Sequence, residues 1–128
     1  MVAKILYVDD ADDIREIAQI SLELEPGFEV CLCSSGAQAL DKAAVWQPDL
    51  ILLDVMMPEM DGPETLRRLA ADDQTAAIPV AFITARTQTH QVERYRTMGA
   101  VAVIAKPFDP MKLASDVMEL LRSNGRTR

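Results

Sequence analysis

Several absences narrow the reading of this 128-residue chain. No stretch reaches the ~18 consecutive apolar residues that a membrane-spanning helix requires. The N-terminal "MVAKILYVDD" has one Lys and a short apolar run ending in acids, unlike a secretory signal. Together these features predict a cytoplasmic protein with no membrane partner. Basic charge is in short supply: 13 Lys and Arg against 20 Asp and Glu leave a formal net charge of −7. Nucleic acids and anionic membranes are bound by basic surfaces, so the balance predicts no direct nucleic-acid binding, while an acidic cluster that holds a cation would fit it. His90 is the only histidine, in the polar stretch "RTQTHQVER", and is predicted to be exposed. Cysteine is limited to Cys31 and Cys33 in "CLC". Two residues apart on a strand, they share a face and read as small core thiols of a reducing compartment. A metal site would want further Cys or His at ligand spacing. There is no Walker-type loop and no GxGxxG, so nucleotide binding is unsupported. There is also no repeat, no low-complexity tract and no segment resembling a DNA-binding output domain.

What is present is a regular alternation. Short apolar runs occur at Lys4–Val8, Phe28–Cys33, Leu50–Leu53, Val80–Ile83 and Val101–Ala105. They are nearly continuous rather than alternating in polarity, as expected of strands covered on both faces in a parallel sheet. The segments between them carry apolar residues at helical spacing: Ile14, Ile17, Ile20 and Leu24; Ala37, Leu40 and Ala44; Leu66, Leu69 and Ala70; Val92, Tyr95 and Met98; Leu113, Val117, Leu120 and Leu121. Gly62-Pro63 and Asp109-Pro110 each read as a cap candidate before a proline at the first helical position. Asp12 and Asp13 suit a helix N-terminus, and Pro26-Gly27 and Met98-Gly99 read as stops. The pattern predicts five βα units in one α/β domain over residues 1–123, with a polar tail over 124–128.

In such a fold ligands gather at the carboxyl ends of the strands. Reading those ends gives Asp9 and Asp10 after the first run, Asp54 after the third, Thr84 after the fourth and Lys106 after the fifth. Ser34 and Ser35 follow the second as helix caps. Any one of these residues taken alone could simply be the first solvated position beyond its strand. Four ends out of five carrying a complementary set point instead to a site. Three adjacent carboxylates raise one another's pKa, and a hard divalent cation such as Mg²⁺ relieves the conflict through oxygen ligands. Lys106 adds a compact positive charge for a carboxylate or phosphoryl group.

The stretches "YVDD" (Tyr7–Asp10), "LLDVMMPEMDG" (Leu52–Gly62), "FITA" (Phe82–Ala85) and "AKPF" (Ala105–Phe108), with softer matches at "SSGAQAL" and "MGA", resemble the receiver domain of bacterial two-component response regulators over essentially the whole chain. The resemblance implies a doubly wound, CheY-like, flavodoxin-like (βα)5 fold with strand order 2-1-3-4-5. It implies a phosphorylation-dependent switch rather than a turnover enzyme, with Asp54 as the phosphoacceptor. Asp10, Asp54 and the backbone carbonyl of Met56 would bind Mg²⁺, or Mn²⁺ in its place, and Asp9 would act through a metal-bound water. Thr84 would hydrogen-bond the phosphoryl group, and Lys106, before a cis proline, would pair first with the carboxylate and then with that group. The implied donor is a histidine kinase or histidine phosphotransfer protein. The implied target is a downstream protein or a second copy of the chain, met through helix four, strand five and helix five. Val103 occupies the position where many receivers carry Tyr or Phe as a switch side chain. Met56 and Arg86 flank the site and would tune water's access to the acyl phosphate. A phosphohydrolase of the haloacid dehalogenase type would want a second Asp two residues after the first, where this chain has Met56.

Overall fold

The computed structural model describes residues 2–124, so the predicted tail from residue 125 onward lies outside the described residues. The elements are β1 (Ala3–Val8), α1 (Asp12–Leu22), β2 (Phe28–Cys33), α2 (Gly36–Trp46), β3 (Leu50–Asp54), α3 (Gly62–Ala71), β4 (Val80–Thr84), α4 (Thr89–Thr97), β5 (Ala102–Ala105) and α5 (Leu113–Ser123). All strand pairings are parallel, in the order β2-β1-β3-β4-β5. Every residue of β3 and β4 is buried. This accounts for their unbroken apolar sequences, because a central parallel strand meets helices on both faces.

Strand alternation sorts the core into two layers. Leu6, Val8, Ile51, Leu53 and Phe82 pack with Ala39 and Ala43 of α2, Leu66 and Leu69 of α3, and Tyr95 of α4. Ile5, Tyr7, Leu50, Leu52 and Ile83 pack with Ala18 and Leu22 of α1 and with Leu113, Val117 and Leu121 of α5. The free thiols fit this scheme: Cys33 is buried and Cys31 half-buried, and burial pushes the Cys33 thiol up to about 11.

Some local expectations shift. In α1 the inward stripe is Ala18, Ser21 and Leu22, whereas Ile17, Ile20 and Leu24 are exposed. The helix carries two apolar stripes, and the small Ala18 marks the one that faces the sheet. In α2 the inward residues are Gly36, Ala39 and Ala43 rather than Ala37. The cap of α3 is Asp61, whose carboxylate accepts from the Glu64 N–H at 2.9 Å, with Gly62 and Pro63 inside the first turn. Asp109-Pro110 opens a turn instead of a helix. The Asp109 carboxylate accepts from the Met111 N–H and its carbonyl from the N–H groups of Lys112 and Leu113, so α5 begins at Leu113.

Candidate functional site

The site lies at the carboxyl edge of β1, β3, β4 and β5. Asp9 follows β1 and is fully buried. Burying an unpaired carboxylate is costly, so its partners define the site's interior. Tyr7 Oη donates to Asp9 Oδ2 at 3.2 Å, the Ala11 N–H donates to Oδ1 at 3.0 Å, and Lys106 Nζ donates to Oδ2 at 2.9 Å. Asp54 ends β3 and is 5% exposed. Lys106 Nζ lies 3.4 Å from its Oδ1. Lys106 thus bridges two carboxylates and sits closer to Asp9, the one with no access to water, than to Asp54, the partner that the resemblance implies.

Asp10 is exposed, yet one carboxylate oxygen from each of Asp9, Asp10 and Asp54 can be chosen so that all lie within 4.8 Å of one another. Burial first, then the charge of Asp9, pushes the Asp54 carboxyl up to about 6, against the pull of Lys106. Burial opposes the Lys106 charge, but its hydrogen bond to Asp9 and the charges of Asp54 and Asp9 outweigh it and hold the ammonium above its ordinary value. Burial, then the Asp9 carboxylate, pushes the Tyr7 phenol up as well, so Tyr7 remains a proton donor to Asp9. An all-oxygen cluster with one carboxyl raised by its neighbours fits a hard divalent cation, which would displace that proton and relieve the repulsion.

Thr84 ends β4 and is buried, and its hydroxyl oxygen accepts from the Arg86 N–H at 3.0 Å. Among the described residues no hydrogen bond joins that hydroxyl to Lys106 or to the carboxylates. Met56 is 63% exposed and Arg86 is exposed, both on loops that follow site strands. The Lys106–Pro107 peptide is cis. Gly62 is set by proximity: a Cβ there would fall 2.6 Å from the Asp54 carbonyl oxygen and 3.1 Å from the Phe82 ring. All five side chains taken from the strand ends, Asp9, Asp10, Asp54, Thr84 and Lys106, therefore reach one edge. His90 is exposed in the first turn of α4. Reading strand ends alone missed Tyr7 and Arg15. Tyr7 was findable, because it lies two residues before Asp9 and shares its face. Arg15 reaches the Asp9 carbonyl from α1, a contact that only the folded loop creates.

A fold of this order with an acid cluster, a threonine and a lysine at one strand edge is the arrangement of a response regulator receiver. The family comparison agrees: residues 5–118 match the response regulator receiver domain, and the chain belongs to that family. It is therefore a receiver of two-component signalling, a family whose general function is a phosphorylation switch and which is not a conventional enzyme, and receivers bind Mg²⁺ at such an acidic pocket. It is 38% identical over 118 residues to the response regulator Rre1 of Synechocystis, covering 91% of this chain and 51% of that protein. It is 38% identical over 121 residues to the DNA-binding response regulator MtrA of Mycolicibacterium smegmatis, covering 94% of this chain and 51% of the relative. Among solved structures, the chemotaxis protein CheY4 of Vibrio cholerae superposes with a TM-score of 0.86 at 31% identity, covering 94% of this chain and all of that one.

The chain thus spans about half the length of these curated relatives. One expectation is corrected here. The acidic balance led to protein partners alone with no direct nucleic-acid contact, but a relative of twice the length is a DNA-binding response regulator. A charge argument reads only the residues it counts, and the net charge of a receiver says nothing about an effector domain elsewhere in a longer protein. Among the described residues no helix is long and apolar enough to cross a membrane.

Proposed function

We propose that Asp54 accepts a phosphoryl group from a phosphohistidine on a histidine kinase or phosphotransfer protein in the cytoplasm, and that the change is read on the face formed by α4, β5 and α5. The observation that carries this reading is the meeting of Asp9, Asp10 and Asp54 within 4.8 Å beneath the ammonium of Lys106. An Asp54 carboxylate oxygen attacks phosphorus. The P–N bond breaks with its electron pair passing to the imidazole nitrogen, and an acyl phosphate forms. A carboxylate ionised at neutral pH needs no general base, so the protein's task is positioning and charge neutralisation. Asp10, Asp54 and the Met56 carbonyl would hold Mg²⁺, or Mn²⁺ in its place, with Asp9 reaching it through water. When bound, the cation supplies positive charge against the transferring oxygens. Lys106 keeps Asp9 paired and exchanges its contact with Asp54 for one with the phosphoryl group. The Thr84 hydroxyl turns to a phosphoryl oxygen and draws the β4–α4 loop with it.

The test uses the purified chain with Mg²⁺ and acetyl phosphate, read by intact mass. Wild type should gain one phosphoryl mass and Asp54→Asn should not. An unmodified wild type, or the same gain in Asp54→Asn, would sink the proposal.

A further inference from the structure

The site has a second cation that the phosphoryl chemistry does not use. Arg15, on α1, has a side chain only 16% exposed. Its guanidinium spans the β1–α1 loop: Nη1 donates to the main-chain carbonyl of Asp9 at 2.6 Å, and Nη2 pairs with the Asp12 carboxylate. Asp12 is 92% exposed, and an ion pair so open to water contributes little. The carbonyl is the contact that keeps this long side chain folded against the loop.

That carbonyl belongs to the peptide joining Asp9 to Asp10. The Asp9 N–H is already tied to the Cys33 carbonyl of β2 at 3.1 Å. Arg15 fixes the other side of the residue. Because a peptide unit is planar, anchoring its oxygen sets the direction in which the chain, and with it the Asp10 side chain, leaves β1. Asp9 is held by Tyr7, Ala11 and Lys106. Asp10 is different: among the described residues no hydrogen bond holds its carboxylate, yet that carboxylate reaches the 4.8 Å cluster. Its aim therefore rests on the backbone beneath it.

We propose that Arg15 is a positioning residue for the cation site, pinning the Asp9–Asp10 peptide so that the Asp10 carboxylate faces Asp54. The proposal rests on the Mg²⁺ reading given above. Simple electrostatics has the opposite sign. A guanidinium anchored on the Asp9 carbonyl, next to the acid cluster in the chain, disfavours a divalent cation there, so loss of its charge alone would tighten binding.

The experiment is Mg²⁺ titration by calorimetry on the full chain, with Mn²⁺ electron paramagnetic resonance as a second readout and melting in EDTA as the fold control. Arg15→Ala should bind Mg²⁺ on the order of tenfold more weakly, as loss of an outer-sphere support does, with an altered Mn²⁺ spectrum. Arg15→Lys keeps the charge but lacks the planar fork that bridges the Asp9 carbonyl and Asp12, so it should also bind more weakly than wild type. Equal or tighter binding by Arg15→Ala, or wild-type binding by Arg15→Lys, would overturn the positioning role. If Arg15→Ala melts below the titration temperature, Arg15→Lys decides alone. A wild type that binds no Mg²⁺ would instead overturn the metal reading on which the proposal rests.

Discussion

The two faces of the sheet meet at the site but are built differently. Asp54 follows Leu50 and Leu52 on the face covered by α1 and α5, and Asp9 is bonded to Tyr7 of the same layer. On that side the charges are tied down: Asp9 has three partners, and Lys106 spans two carboxylates. Thr84 follows Val80 and Phe82 on the opposite face, whose core layer includes α4. Here the attachments are sparse. Helix α4 buries only Tyr95, whereas α3 beside it buries Gly62, Thr65, Leu66 and Leu69. Tyr95 meets Phe82 edge-on, with ring centroids 5.0 Å apart, and the partly buried Val103 packs into the same cluster. One side is preorganised to receive a phosphoryl group. On the other, α2 and α3 are well packed, but α4 is held by one buried side chain, Tyr95, and has room to respond.

The largest effect should come from breaking that contact. Tyr95→Ala removes the only buried side chain of α4, and truncating a buried aromatic costs about 3 kcal/mol. Amide hydrogen exchange is the decisive measurement. Protection should fall in α4 and β5 while α1, α3 and the central strands keep theirs relative to global stability, and Mg²⁺ affinity should hold. Uniform loss of protection, or weaker Mg²⁺ binding, would show that the two faces are one cooperative unit.

The same division explains what could be read from the sequence. The strands, their parallel arrangement and the gathering of Asp9, Asp10, Asp54, Thr84 and Lys106 follow from hydrophobic runs and their last residues, because burial on both faces leaves a plain one-dimensional trace. Helix phases were less readable. Helix α1 has two apolar stripes, and only packing against the sheet selects Ala18 and Leu22 over Ile17 and Ile20. Asp109-Pro110 resembled a helix start because capping chemistry and turn chemistry use the same residues. The Arg15 contact was invisible, since it joins a side chain to a main-chain carbonyl that carries no residue signature. Charge counting was no guide to nucleic acid, because it reads only the residues counted, while a relative of about twice the length is a DNA-binding response regulator.

The acid face can be probed through the raised carboxyl of Asp54. Its pKa of about 6 in the fold exceeds the unfolded value of ~3.9. The folded state therefore binds more protons than the unfolded state between those values, and this group's contribution to stability falls as pH rises from about 4 to about 6 and stays low above. Without metal at pH 7, Asp54→Asn should melt higher than wild type. Allowing for water that reaches the open edge, the gain should be about 1 to 2 kcal/mol. The difference should shrink as pH is lowered toward 4, and Mg²⁺ should stabilise wild type more than the variant. Wild-type affinity for Mg²⁺ should weaken below about pH 6, where the proton competes for Asp54. Equal melting of the two proteins at pH 7 would mean that Lys106 already neutralises the cluster and that the acid face carries no stored repulsion.

The smallest effect tests the roof of that face. Between Asp54 and α3 the chain turns at Glu59, which is exposed and has φ of 69°, while the Met60 N–H donates to the Pro58 carbonyl across it at 2.7 Å. A side chain in the left-handed region costs about 1 kcal/mol, which glycine avoids. Glycine also loosens the unfolded chain, an opposing term of roughly 0.4–1 kcal/mol. Glu59→Gly should therefore stabilise by no more than about 0.5 kcal/mol, whereas Glu59→Val, β-branched at the same φ, should destabilise. Denaturant melts resolve the pair. Because the Gly62 N–H ties back to the Val55 carbonyl at 2.8 Å, immediately after Asp54, the strain lies in a loop anchored on the phosphoacceptor strand. If that anchor holds, both variants should keep wild-type Mg²⁺ affinity while differing in stability. A change in affinity that tracks the backbone substitution would show that the acid face is less rigid than its hydrogen bonds imply.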